Sequence, residues 1–417
     1  VSVSGCLTNV YIDTGNFYVG LSLTTNAENM VVVTNVAADG TFAFSHTIMT
    51  NSSLYLRLMH FDDVNTNAMW DSNELYGYNS MDRSKGHTFY LVQEARDYDN
   101  DNMPDFWEVS QNFNWTNRLD CVGDADSDGF YNVLEYWMKT DPYSANNSSN
   151  TAILNAIAAV DEKLVGRTPS TAWTIFSLRN HAATNYVRNT NCWAYSYDLT
   201  CHSPWNSTRS VYDTGTLISP RHVLFAEHWG NGVTNGTVMR FVDQQNNVIE
   251  RTLVAKIPHP LYNSSAIYPD LSVGLLDSDV PTNQISFAYV LPDNYTNYLS
   301  RGTRLPALAL NQFHKATVCD IKDISGREPN GRIYTKIQPP IDITRNGFYT
   351  PIIDGDSGNP LFVFLSGKTV LLTVWTHASD GTSVTAFKED INEMMTALGG
   401  GYQLTEINLS EFRALDE

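Results

Sequence analysis

Gly355-Asp356-Ser357-Gly358-Asn359-Pro360 lies between two strand-like runs, Gly347-Phe-Tyr-Thr and Leu361-Phe-Val-Phe. A serine in a turn flanked by glycines can aim backbone N–H groups at one point. The N–H groups of Gly355 and Ser357 are candidates for an oxyanion hole, which stabilises charge developing on a carbonyl oxygen during acyl transfer. A serine hydroxyl is a weak nucleophile and needs a base within reach. Two upstream segments offer the missing groups. Leu217-Ile-Ser-Pro-Arg-His-Val-Leu-Phe-Ala-Glu-His228 reads as one buried strand ending in a histidine. Tyr268-Pro-Asp270 places an acid at the head of the apolar run Leu271-Ser-Val-Gly-Leu-Leu.

The three segments occur in the order His, Asp, Ser, with spacings of 42 and 87 residues. In that order, with those flanking residues, positions 168–400 resemble the trypsin-like (chymotrypsin-fold) serine proteases. The resemblance implies a double β-barrel. It also implies that Ser357 is the nucleophile, His228 the general acid/base, and Asp270 the carboxylate that orients the imidazole. By alignment from the serine, Pro351 and Ile352 would form the base of the substrate pocket and Asp354 its rim. Thr376, His377 and Ala378 would form the wall that binds substrate backbone. A pocket base without aspartate favours apolar or small side chains.

The chain also departs from that family. Phe225-Ala-Glu227 precedes His228 and Trp229 follows it, where Thr-Ala-Ala and Cys are usual, so the common disulfide beside the histidine is missing. Glu227 would raise the imidazole pKa if its side chain approached. Asn359 replaces the usual second glycine after the serine. No Ile-Val-Gly-Gly segment appears near residue 170, so activation by an inserted amine is not expected and Asp356 needs another donor or a cation. His222, six residues before His228, is expected to be packed or exposed and to take no part in the chemistry.

The 417 residues carry 45 Asp plus Glu against 26 Lys plus Arg, a formal charge of -19. Such a balance argues against binding nucleic acid, whose phosphates would repel it. The acids are concentrated, with a net charge of -12 in residues 62–141. Within that stretch, Asp97 opens a twelve-residue loop with Asp99, Asp101, Asp105 and Glu108 at positions 3, 5, 9 and 12. Asp124 opens a second, with Asp126, Asp128, Asn132 and Glu135 at the same positions and Gly129 at the sharp turn. This is the oxygen-ligand spacing of an EF-hand-like calcium loop. The carbonyls of Met103 and Phe130 would fill position 7, and Asn102 stands at the turn of the first loop, where Asn tolerates a left-handed backbone. Asp63, Asn65, Asn67, Met69, Asp71 and Glu74 form a third, less acidic match, expected to bind Ca²⁺ more weakly.

The paired loops resemble thrombospondin type 3-like repeats, and Asp63 to Gly77 resembles the calcium-bearing loop of prealbumin-like or Cna-B-like β-sandwich modules. These resemblances imply Ca²⁺ as a structural cofactor, in two well-matched sites and a third weaker one. They also imply an extracellular or cell-surface setting, bacterial in origin, with contact to a cell surface or carbohydrate through the sandwich.

The chain reads as mainly β and multidomain. Residues 1–93 alternate apolar and polar positions in short runs such as Val10-Tyr-Ile, Phe17-Tyr-Val, Val31-Val-Val, Thr41-Phe-Ala-Phe and Leu54-Tyr-Leu-Arg-Leu, with a turn at Asp39-Gly40, and predict a small β-sandwich. Residues 94–147 form the calcium-loop module, with a short helix over Val133–Met138. Residues 148–417 hold the protease-like domain, with a linker helix over 152–164 and a closing helix over 389–398. No apolar run has the length of a membrane span, and Val1 to Val10 lacks the form of a signal peptide. Cys192 and Cys201 are close enough for a small-loop disulfide that nothing else in the sequence requires. The expected function is that of a secreted serine endopeptidase acting on protein or peptide substrates. The alternative is a catalytically inactive, protease-fold binding or adhesion protein.

Overall fold

The computed structural model describes residues 2–6, 17–22, 30–35, 41–45, 56–62, 76–81, 97–128, 130–138, 140–145, 151–208, 214–229, 232–299, 305–328, 331–377 and 380–412. The chain forms two compact units. One comprises Val1–Gly123 with Tyr131–Tyr136, and the other Asp124–Phe130 with Trp137–Glu417.

The first unit contains β1 (Ser2–Cys6), β2 (Phe17–Ser22), β3 (Met30–Asn35), β4 (Thr41–Ser45), β5 (Leu56–Asp62) and β6 (Tyr76–Met81). β1 pairs with β4, and the remaining four form an antiparallel sheet in the order β3-β2-β5-β6. The alternating runs around Phe17, Val31, Thr41 and Leu56 are therefore strands, as their period of two predicts. The expected run at Val10, the Asp39-Gly40 turn and the third acidic loop lie outside the described residues. Short helices α1 (Asp105–Ser110) and α2 (Asn132–Met138) and the 3₁₀ turn Asp120–Val122 complete this unit.

The second unit begins its regular structure with α3 (Thr151–Leu164), whose Ile153, Ile157, Val160 and Leu164 are buried at helical spacing. Arg345 ties this helix down through a two-pronged ion pair to Asp161, at 2.7 and 2.8 Å, and a third bond to buried Asp320 at 3.1 Å. After α4 (Pro169–Ala172) and the hairpin β7 (Phe176–Asn180) and β8 (Asn185–Arg188) come two six-stranded antiparallel sheets.

The first sheet uses β9 (His202–Ser203), β10 (Gly215–Leu217), β11 (His222–Phe225), β12 (Val238–Val242), β13 (Val248–Pro258) and β14 (Ser272–Leu276), in the order β12-β13-β14-β11-β10-β9. Its edge strands β9 and β12 approach each other, so the sheet nearly closes into a barrel. Val223, Leu224, Phe225, Leu253, Val273 and Leu276 on its strands are all buried, on one face or the other. Gly274 has no alternative there: a Cβ would stand 2.3 Å from Leu253 Cδ1.

The second sheet uses β15 (Pro306–Leu310), β16 (Ala316–Arg327), β17 (Ile333–Gln338), β18 (Pro360–Leu365), β19 (Lys368–Val374) and β20 (Asp380–Thr382), in the order β19-β18-β15-β16-β17-β20. Its edges β19 and β20 also approach. If each sheet's strands are numbered one to six in chain order and the approaching edges are joined, both sheets give the cycle 1-2-3-6-5-4. α5 (Lys388–Leu398) follows, with Ile391, Met394 and Met395 buried.

Three expectations change. Leu217 to His228 is a hairpin and not one strand: β10 ends at Leu217, Ser219-Pro220-Arg221 turns the chain, and Ile218 N–H donates to the His222 carbonyl at 3.0 Å. Pro220 cannot donate to a ladder, which favours the break there. Gly347-Phe-Tyr-Thr is not a strand, because Ile343–Phe348 winds into a 3₁₀ turn whose start is capped by Asp342 Oδ1, accepting from Thr344 N–H at 2.8 Å. Cys192 and Cys201 are buried free thiols, as are Cys121 and Cys319. Among the described residues no helix is long and apolar enough to cross a membrane.

Candidate functional site

β11 and β14 are antiparallel neighbours, with Phe225 opposite Ser272. His228 sits in the 3₁₀ turn Glu227–Trp229 just after β11, and Asp270 lies just before β14. Antiparallel pairing therefore brings together two residues that are 42 positions apart in the chain. Asp270 is fully buried, and each of its oxygens meets His228: Oδ2 accepts from Nδ1 at 2.6 Å and Oδ1 from the backbone N–H at 2.8 Å. This two-point clamp fixes the ring orientation and places the proton on Nδ1, which makes Nε2 the basic nitrogen. Asp270 is held in turn by its own N–H, which donates to Thr382 Oγ1 of β20 at 2.9 Å.

Glu227, the neighbour of His228, has partners of its own. Its carboxylate accepts from Lys256 Nζ at 3.2 Å and from the Ser272 hydroxyl. His222 is structural, as expected. It is fully buried, with Nδ1 against Ser219 Oγ and Nε2 against the Gly399 carbonyl, both at 2.8 Å.

Ser357 lies in the turn leading into β18, largely buried, between Gly355 at φ 95° and Gly358 at φ 78°. Both angles belong to the left-handed region that glycine adopts without strain. A Cβ at position 355 would also meet Gln312 Nε2 at 2.8 Å. Gly358 N–H is used by the Trp375 carbonyl at 2.9 Å, and Asn359 Nδ2 donates to the Asp356 carbonyl at 2.9 Å. The N–H groups of Gly355 and Ser357 meet no acceptor among the described residues. Asp356, fully buried, finds its donors in backbone: Gln312 N–H at 3.0 Å and Ile353 N–H at 2.9 Å. Burial pushes its carboxyl pKa up, and those two bonds oppose the shift.

Of the expected pocket residues, Ile352 is buried while Pro351 and Asp354 are exposed. Thr376 is buried and His377 half-buried, their N–H groups donating to the Asp380 carbonyl at 3.3 and 3.0 Å. Ala378 lies outside the described residues.

The first acidic loop gathers Asp99, Asp101 and Glu108, joined by Asp120, so that one carboxylate oxygen of each lies within 4.8 Å of the others. Asp101 and Glu108 are fully buried. Both oxygens of Glu108, both of Asp99, Asp101 Oδ2 and Asp120 Oδ1 are buried without a hydrogen-bond partner. Desolvation first, and then mutual repulsion, pushes the pKa up to about 6 for Asp99, about 8 for Asp101 and about 9 for Glu108. Asp97 and Asp105 each give oxygens to the backbone: Asp97 accepts from Asp101 and Asn102 N–H at 3.0 and 2.8 Å, and Asp105 Oδ1 from Tyr98 N–H at 2.7 Å. Asn102 has φ 75°, the left-handed turn expected of it. The Met103 side chain is fully buried.

In the second loop Asp124, Asp126 and Asp128 come together, all half-buried. Asp128 N–H donates to both Asp124 Oδ1 and Asp126 Oδ1 at 3.1 Å, and Phe130 N–H donates to Asp128 Oδ1 at 3.0 Å. Phe130 is buried in the second unit, and Asn132 and Glu135 are buried on α2 in the first.

Sequence reasoning missed Thr382, Gln312 and Asp120, each reached only through tertiary contact. Asp120 had one local signal, an acid standing between two acidic loops. No protein-family model matches the chain, and no curated protein matches it.

Proposed function

We propose that the chain is a serine endopeptidase of trypsin-like type. The observation that carries the proposal is the clamp of buried Asp270 on His228, together with a serine in a turn between two left-handed glycines. On this reading His228 Nε2 takes the proton of Ser357 Oγ as the oxygen attacks a peptide carbonyl. The resulting oxyanion is received by the N–H groups of Gly355 and Ser357. His228 then returns the proton to the leaving amine, and water cleaves the acyl-enzyme through the same base. Asp270 orients the ring and stabilises its cation without itself taking the proton. One nearly closed six-stranded sheet, and a second that shares its cyclic strand order, support the double-barrel expectation. The backbone donors on Asp356 support activity without cleavage near residue 170.

The acidic loops are proposed to hold Ca²⁺, whose chemistry there is structural. Their orphaned carboxylate oxygens fit a hard cation, and millimolar-range sites of this kind stay filled outside cells. That setting supports a secreted or surface-exposed protein.

A fluorophosphonate probe tests the catalytic proposal. It should modify Ser357 in the folded chain and leave His228→Ala unmodified. If Ser357 stays unlabelled and peptide libraries go uncut with calcium present, the chain is a binding protein built on this fold.

A further inference from the structure

We propose that Asp120, which lies outside the twelve-residue loop, is a ligand of the first cation site and completes a four-carboxylate cage selective for Ca²⁺. The inference rests on the reading that the acidic loops hold a cation.

Calcium–oxygen bonds of about 2.3–2.6 Å place opposite ligands about 4.6–5.2 Å apart. One oxygen each from Asp99, Asp101, Glu108 and Asp120 falls within 4.8 Å of the others, so a single ion can reach all four. A cluster of acids alone would carry little weight. Glu108 is different: its side chain is fully buried, and neither oxygen has a hydrogen-bond partner. Asp101 is also fully buried, with Oδ2 orphaned. Buried carboxylates in that state are costly unless a charge of opposite sign completes them.

Asp120 is set in place by its surroundings. Its Oδ2 accepts from Asn114 N–H at 2.9 Å, its Oδ1 is buried without a partner, and its carbonyl accepts from Asn132 Nδ2 at 2.8 Å. The 3₁₀ turn Asp120–Val122, with buried Cys121, fixes the backbone that presents it. Four carboxylates and no nitrogen or sulfur suit a hard cation over zinc or copper. Magnesium keeps several waters and seldom accepts an all-carboxylate cage, so calcium is the better fit. Affinity in such loops rises with ligand charge, so the fourth carboxylate makes this the tighter of the two described sites.

Calorimetric titration of Ca²⁺ into the calcium-stripped full-length chain tests the assignment. Asp120→Asn keeps an oxygen for Asn114 N–H while removing the charge. It should weaken the tightest site at least tenfold, as should Glu108→Gln, whereas Asp126→Asn should leave that site unchanged. Each variant is also melted with excess Ca²⁺ and with chelator. The calcium-induced rise in melting temperature should shrink in Asp120→Asn and persist in Asp126→Asn, which separates ligand loss from misfolding. If Asp120→Asn binds like the unaltered chain while Glu108→Gln loses the site, Asp120 is no ligand and the inference falls. If neither the unaltered chain nor any variant takes up Ca²⁺, the cation reading itself falls and takes the inference with it. Equal response to Mg²⁺ and Ca²⁺ would overturn the selectivity.

Discussion

Asp270 and Glu108 are both fully buried carboxylates, and they solve the same physical problem in opposite ways. Asp270 has both oxygens matched by donors of one histidine. Glu108 has neither oxygen matched by anything among the described residues. A buried charge costs several kcal/mol unless something pairs with it. Where the protein supplies the partner, the charge becomes a fixed instrument that can act on another group. Where it does not, the site is complete only with a ligand. The first arrangement is what catalysis needs, and the second is what structural ion binding needs.

The comparison breaks most visibly at Asp270. Asp270→Asn should leave the fold intact and cut kcat by about four orders of magnitude, because the amide holds the ring in the wrong tautomer. Peptide hydrolysis against a thermal melt separates the two effects. A loss below about tenfold, roughly 1.4 kcal/mol of barrier, would mean that the clamp does not orient a working base.

Arg345 allows the first condition to be converted toward the second. Arg345→Leu removes the counter-charge of buried Asp320 and frees Asp161, and with it α3, from its anchor. The expected destabilisation is about 3–5 kcal/mol, read by denaturant unfolding of the full chain. A change of less than about 1 kcal/mol would show that Asp320 is solvated well enough without its partner.

The remaining effect is graded with pH and concerns buried bases. Burial lowers the pKa of His202 to about 3, and burial also lowers those of His222 and His314. A depressed folded pKa means that the unfolded chain binds more protons. Stability is therefore full above about pH 6.5 and is lost as pH falls from there toward 3. Each histidine contributes a slope of about 1.4 kcal/mol per pH unit within its own window. Melting temperature followed from pH 7.5 to 5 should fall when Ca²⁺ is held in excess, so that the raised carboxyls of the first acidic loop do not supply an opposing slope. A flat profile would show that these imidazoles take up protons as readily in the folded chain as in the unfolded one.

The parts legible in the sequence were those in which chemistry and spacing are local. The Ser357 turn needs glycine on either side, and a run such as Leu361-Phe-Val-Phe can only be buried. α3 was legible for the same reason, since Ile153, Ile157, Val160 and Leu164 mark one face. What stayed hidden depends on partners distant in sequence. The cyclic strand order is set by pairings that no short window contains. Glu227 sits beside His228 yet turns to Lys256 and Ser272, because adjacent side chains diverge and a buried acid goes where the cation is. Pro220 was read as part of a strand, although its missing N–H favoured the hairpin. Asp120 lay outside the spacing rule that identified its neighbours.

One bond described above bears on how the molecule is made. Asp270 is held by Thr382, which belongs to the last strand of the second sheet. The ribosome delivers His228 and Asp270 first, Ser357 next and Thr382 last. Between positions 270 and 357 the emerging chain thus has the proposed base and acid without the proposed nucleophile. Once Ser357 has emerged, the acid still lacks its anchor until β20 docks. On the proposed function, such an order of arrival is a timer: the cutting edge is complete only once the last strand of the second sheet has docked.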